Sequence, residues 1–382
     1  EILSGLVGSE MCIRDSTLIM AETSLGRMTR KSPVGAFESF GNSRFISIGG
    51  WINAIIPILI VPYYSVIGGW VIKYLIEYFA GHSKTLAGDA YFTTFISNGW
   101  STEICFIIFT LFTLGIIYAG VRNGIERVSK FMMPILIVLS LIIAVYSVTR
   151  PGAIEGVKYF LVPNFDHFSW MTVVSAMGQM FYSLSIAMGI LITFGSYMKK
   201  DTSIEKSTEN VEIFDTAIAI MAGLMIIPAV FAFSGGNAET LKSGPALMFI
   251  TIPKVFANMG FGTAIGVVFF LLVLFAAVTS SIALTESAVS TFEDELHWSR
   301  KKSTVFMGMV MLLLGTLSCL GYGPLANFKI LGMQFLDFFD FITNSVMMPI
   351  AAIATCLLVS KVVGVDKICL LYTSDAADDM QC

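Results

Sequence analysis

Four places in this 382-residue chain put oxygen-bearing side chains inside otherwise apolar sequence. In GQMFYSLSIAMG, residues 178–189, Ser183 and Ser185 stand two apart at the middle of a long apolar run. In FAAVTSSIALTESA, residues 275–288, Ala276, Thr279, Ser280 and Leu284 recur at helical spacing on one face. Asp215 opens DTAIAIMAGLMIIPAVFAF, and Asp340 lies in LDFFDFITN. Ionisable or hydroxyl-rich positions within such runs are costly and therefore point to function. Each also has a plainer reading. A membrane serine or threonine usually bonds back to the carbonyl four residues earlier, and a lone aspartate near a helix end is usually interfacial. Together they suit a hard cation of low charge, such as sodium, which takes hydroxyl, carbonyl and carboxylate oxygens and needs neither histidine nor thiolate.

In a regular helix Ser183 and Ser185 would project about 200° apart and could not share a cavity. A break resolves this. It frees carbonyls on one half and N–H groups on the other, which suits a cation and a carboxylate side by side. Gly178, Gly189 and Gly195 are the residues that would allow it.

The elements that must hold these groups follow from composition. The chain is 55% hydrophobic and only 13% charged, with a mean hydropathy of +0.79, which implies a bilayer as its solvent. Runs of about 18 apolar residues or more predict eight crossings: 46–79, 104–121, 131–148, 170–198, 213–233, 261–289, 305–322 and 335–363. Strand alternation with regular turns is absent, so a barrel is not expected. Thirteen basic residues fall on the side of the first loop (Arg27, Arg30, Lys31, Arg44 and their counterparts two loops on), against six on the other. The positive-inside rule therefore places the 20–45 loop in the cytoplasm, and the protein in the cell inner (plasma) membrane.

The net charge of −4 and the lack of a basic patch with interleaved aromatics give no sign of nucleic acid. The six cysteines show no metal-like or disulfide spacing, and His82, His167 and His297 fall singly in predicted loops. Nothing in the sequence sets an oligomeric state. Two flanks, 1–16 and 366–382, continue no pattern of the membrane segment 17–365 and read as foreign to it. Two carboxylates in apolar runs, Asp215 and Asp340, raise an intramembrane aspartyl protease, but no GxGD motif accompanies them and they start helices near opposite faces. No enzyme is expected.

Several stretches, in order along the chain, resemble the neurotransmitter:sodium symporter family, especially its bacterial amino-acid transporters: ETSLGRMTRKSPVGAF, PYYSVIGGWVIKYL, GVRNGIERVSKFMMP, the serine run, the Asp215 run, GPALMFITIPKVF, FAAVTSSIAL, FEDEL and LDFFDFITNSVMMP. The family's broken helices are a worked case of midplane ion and substrate binding. The resemblance implies an all-α, polytopic membrane protein with a five-plus-five inverted repeat. Helices three to ten would be present here and the first helix missing, so that the fragment alone would not transport. It implies sodium-coupled amino-acid symport by alternating access, with a proton-coupled carrier on a related scaffold as the alternative. By position, Ser183 and Asp215 would ligand one sodium ion, and the Ala276 carbonyl, Thr279 and Ser280 a second. Tyr64 would hold the substrate carboxylate, while Ile60, Tyr182, Ser185, Met188 and Leu284 would line its pocket. Gln179 and Asp340 would belong to the outer gate. Sodium would serve as the coupling ion with no other cofactor, and chloride would not be required because Asp215 supplies the negative charge. Met188 between small residues favours a large apolar or aromatic amino acid.

Overall fold

A computed structural model describes residues 16–41, 43–162, 169–199, 201–235, 244–364 and 367–368. The two expected flanks lie outside the described residues, apart from Ser16, Lys367 and Ile368, and so does His167. Ile368 is buried in a small cluster with Leu25, Phe37 and Ile192.

The chain is helical throughout the described residues, with a single isolated bridge between Ile330 and Met333. In hydrocarbon every backbone polar group must be satisfied within its own segment, and long apolar stretches meet that demand as helices. Seven are long and apolar enough to cross a membrane. An eighth crossing, expected as one run at 170–198, is divided into two shorter helices.

In chain order, α1 (Ser16–Thr29) and the short α2 (Pro33–Glu38) lead into α3 (Arg44–Phe79), the longest helix. The connection after α3 carries α4 (Ser83–Leu86) and α5 (Tyr91–Ser97), and α6 (Gly99–Tyr118) is the next helix of crossing length. A π turn, Val121–Glu126, opens α7 (Arg127–Val148), which is followed by α8 (Ala153–Leu161). The divided crossing is α9 (Trp170–Ser183) and α10 (Ile190–Tyr197). Then come α11 (Ile204–Ser234), α12 (Ile252–Ala257), α13 (Gly262–Leu296) and α14 (Arg300–Leu320). The last crossing joins α15 (Phe335–Asp340), a π turn (Phe341–Met347) and α16 (Met348–Leu357).

Helix α3 is the central post, packed by α13, α6, α14, α2 and α16. The opposite faces are apolar and bare. Along α7, Phe131, Val138, Leu141, Ile142 and Val145 point outward, the pattern of a lipid-facing helix.

Two sequence expectations need correction. Asp215 does not start its helix: Ser203 caps α11 by accepting the Lys206 N–H at 3.3 Å, which puts Asp215 about three turns inside. Polar turns at helix ends cost nothing in water, so the helix outruns its apolar stretch. Of the three glycines invoked for the break, only Gly189 has the left-handed backbone, with φ 68°. Gly178 and Gly195 lie inside regular helices.

Candidate functional site

The break between α9 and α10 builds the site. Beyond Ser183 the backbone leaves the helix, with φ 56° at Ser185, 60° at Ala187 and 68° at Gly189. Left-handed conformations at two non-glycine residues cost about 1–3 kcal/mol each, so the surroundings must hold them. One hold is explicit: the Ala187 N–H donates to Glu22 Oε1 of α1 at 2.9 Å rather than to a helix carbonyl. Glu22 is fully buried, and its Oε2 has no hydrogen-bond partner among the described residues.

Because of the break both serines reach one cavity. It has a volume of ≈ 460 Å³ and is lined by Ser183, Ser185, Gln179, Tyr182 and Met188 from the divided crossing. Ile60 and Tyr64 of α3, and Thr279, Ser280 and Leu284 of α13, line it from the other side. Ser183 donates to Asp215 Oδ1 at 2.7 Å, joining α9 to α11.

A second, more apolar cavity of ≈ 580 Å³ lies on the far side of Thr279 and Ser280. Asp215 and Ala276 line it, with α7 and the N-terminal half of α11 as walls. The Thr279 hydroxyl donates to the Ala276 carbonyl at 3.0 Å and to Phe275 O at 3.2 Å. Two oxygens named for one ion are thereby adjacent. All the expected ion and substrate residues thus line one of two cavities that share Thr279 and Ser280. Asp340 lines neither: its Oδ1 accepts from Tyr63 at 3.2 Å and from Asn344 at 2.6 Å.

Several contributors were not anticipated. Met133, Ile190 and Ala283 line the first cavity, and Asn210 and Phe214 the second. Glu22 sits within a stretch singled out for its resemblance, yet no local spacing marks a side chain that acts on a backbone 165 positions away. Glu286, about two turns beyond Thr279 on α13, is fully buried. It is clasped by Arg300 at 3.0 and 2.5 Å and by the Tyr197 hydroxyl at 2.8 Å, tying α13 to α14 and α10. Among the described residues no group of His, Cys, Asp and Glu could hold a transition metal, and Cys105, Cys319 and Cys356 are free thiols.

The chain was compared with known proteins. The family model described as "Sodium:neurotransmitter symporter family" matches residues 97–374. An uncharacterised sodium-dependent transporter of Bacillus subtilis, YhdH, is 33% identical over 345 residues, covering 90% of this chain and 76% of the relative. A sodium-dependent transporter of Haemophilus influenzae is 30% identical over 359 residues, covering 90% and 78%. A more distant relative, the "Sodium- and chloride-dependent GABA transporter ine" of Drosophila melanogaster, is 24% identical over 79% of this chain and 37% of its own length. Among solved structures, MhsT in complex with L-phenylalanine superposes with a TM-score of 0.86 at 32% identity, covering 97% of this chain and 84% of MhsT. A divided crossing with hydroxyl groups at its centre, a family match over most of the sequence and relatives of this similarity agree: the protein is a multi-pass membrane carrier, not an enzyme, and belongs to the sodium:neurotransmitter symporter family of sodium-coupled transporters.

Proposed function

We propose that the protein carries an amino acid into the cell together with sodium, by alternating access about the break between α9 and α10. Ser183 and Asp215 ligate one sodium ion, and the Ala276 carbonyl, Thr279 and Ser280 a second. Tyr64 receives the substrate carboxylate. Ile60, Tyr182, Ser185, Met188 and Leu284 enclose the side chain, and Gln179 and Asp340 form the outer gate. The 20–45 segment faces the cytoplasm of the inner (plasma) membrane.

The observation that carries this reading is the convergence of hydroxyl oxygens on a ≈ 460 Å³ cavity at a helix break, with the Asp215 carboxylate and the Ala276 carbonyl each hydrogen-bonded to one of those hydroxyls from the adjoining cavity that shares Thr279 and Ser280. A sodium ion bound there offsets the cost of holding the break and of burying Asp215, so ion and substrate each favour the other's site. Flexible Met188 and the aliphatic Ile60 and Leu284 favour a large apolar or aromatic side chain, in keeping with the L-phenylalanine held by MhsT.

The test is uptake of radiolabelled L-phenylalanine by the full-length protein in proteoliposomes. An inward sodium gradient should drive accumulation that choline does not support, and excess L-leucine or L-tryptophan should compete better than glycine. Equal uptake in choline, or glycine as the best competitor, would refute the reading.

A further inference from the structure

Tyr63 and Tyr64 are neighbours on α3 with different surroundings. Tyr64 lines the first cavity opposite the divided crossing, together with Ser280. Tyr63, only 2% exposed, donates to Asp340 Oδ1 at 3.2 Å. The same oxygen accepts the Asn344 amide at 2.6 Å, and that amide lies 3.4 Å from the Tyr63 hydroxyl, closing a triangle. Asn344 belongs to the π turn that begins one residue after Asp340, and such turns widen a helix at functional positions. Two donors thus fix Oδ1, while no donor among the described residues reaches Oδ2. The carboxylate is aimed on one side and left open on the other.

Pro62 precedes the two tyrosines within α3. Its ring removes the hydrogen bond that residue 62 would give to the Ile58 carbonyl, which loosens the turn carrying them. A movement of Tyr64 when the cavity fills therefore takes Tyr63 with it.

We propose that Tyr63, assisted by Asn344, is a positioning residue that transmits occupancy of the cavity to the gate carboxylate Asp340. This rests on the proposed function above. Nothing in the sequence singles out Tyr63, and its role is read from the triangle alone.

The experiment measures how fast an impermeant methanethiosulfonate labels the full-length protein carrying Ala283→Cys, a cavity-lining position, after subtraction of labelling without that substitution. In the parent, sodium plus L-phenylalanine should slow labelling. Tyr63→Phe, and Asn344→Ala as an independent variant, should each reduce that protection by about tenfold, as loss of one hydrogen bond to a charged group implies. L-Phenylalanine affinity at saturating sodium should change little. Asp340→Asn should lose protection likewise, and the Tyr63→Phe/Asp340→Asn pair should lose no more than Asp340→Asn alone. If Asp340→Asn loses protection while Tyr63→Phe and Asn344→Ala retain it, or if the losses multiply in the pair, the role given to Tyr63 is wrong and the gate stands. If Asp340→Asn retains full protection, or the parent shows none, the underlying reading of the site falls and this proposal with it.

Discussion

Thr279 satisfies two readings of a membrane hydroxyl at once. Its single proton goes back to carbonyls of its own helix, at 3.0 Å to Ala276 and 3.2 Å to Phe275. Its lone pairs stay available to a cation, because a hydroxyl donates once and accepts twice. Back-bonding therefore does not argue against ion binding here, and it brings the Ala276 carbonyl into the same ligand set. In the full-length protein, Thr279→Val or Ser280→Ala should raise the sodium concentration for half-maximal uptake by about tenfold, the effect of one lost charge-assisted contact. Affinity for L-phenylalanine at saturating sodium should fall much less, since the pocket keeps its walls. A sodium titration of both variants checks this; an unmoved midpoint in both removes these residues from the site. Residues such as Ser183, Asp215 and Thr279 were legible because a polar atom in an apolar run is conspicuous and their spacing put them on known faces. Glu22, Tyr63 and Asn344 were not, because each acts through a contact that exists only once distant helices have packed.

Helix by helix, the apolar runs gave the crossings but misplaced several starts, since the hydropathy of a segment says where lipid begins and not where hydrogen bonding does. Ser203 before α11 and the capping box of Ser169 with Thr172 before α9 are the local signals that place true starts. Short elements such as α8 and α12, of 9 and 6 residues, escaped because they are far shorter than a crossing requires. The closest helix pair was invisible to periodicity. Helices α1 and α10 approach until their backbones touch: a methyl on Gly26 would strike the Ile192 carbonyl and one on Gly195 the Thr23 carbonyl. Arg27 and Arg30 then reach over to the Thr202, Ser196 and Met198 carbonyls, cations at a helix C-terminus. Together with Glu22 at the break, these contacts strap α10 to α1 at both ends. Alanine normally favours a helix over glycine by about 0.5–1 kcal/mol, yet Gly195→Ala should lower thermal stability, because overpacking against backbone costs about 1–3 kcal/mol. Gly178→Ala, with nothing within 4 Å of the added carbon, is the control and should be neutral or stabilising. Equal melting temperatures for the two variants would show that α1 and α10 can separate without cost.

Over the whole transport cycle, the molecule must carry sodium's positive charge through a low-dielectric path, and the balancing negative charge is either fixed or mobile. A relative in this family is named for its dependence on both sodium and chloride. Here Asp215 offers a fixed carboxylate, bonded to Ser183 at 2.7 Å and lining the cavity shared with Thr279 and Ser280. One helical turn later stands Ala219, which has no group to hydrogen-bond an anion. A carboxylate close to the ion supplies the attraction that chloride would otherwise provide, and at an effective dielectric of about 20 a unit charge 4 Å away contributes about 4 kcal/mol. Transport by the full-length protein should therefore need no chloride. Uptake into proteoliposomes with gluconate replacing chloride on both sides should match uptake in chloride, whereas Asp215→Asn should lose most uptake in gluconate while still folding and eluting from size exclusion in detergent as the parent does. Dependence of the parent on chloride, or normal uptake by Asp215→Asn in gluconate, would move the balancing charge elsewhere in the molecule and leave Asp215 as a hydrogen-bond partner of Ser183 only.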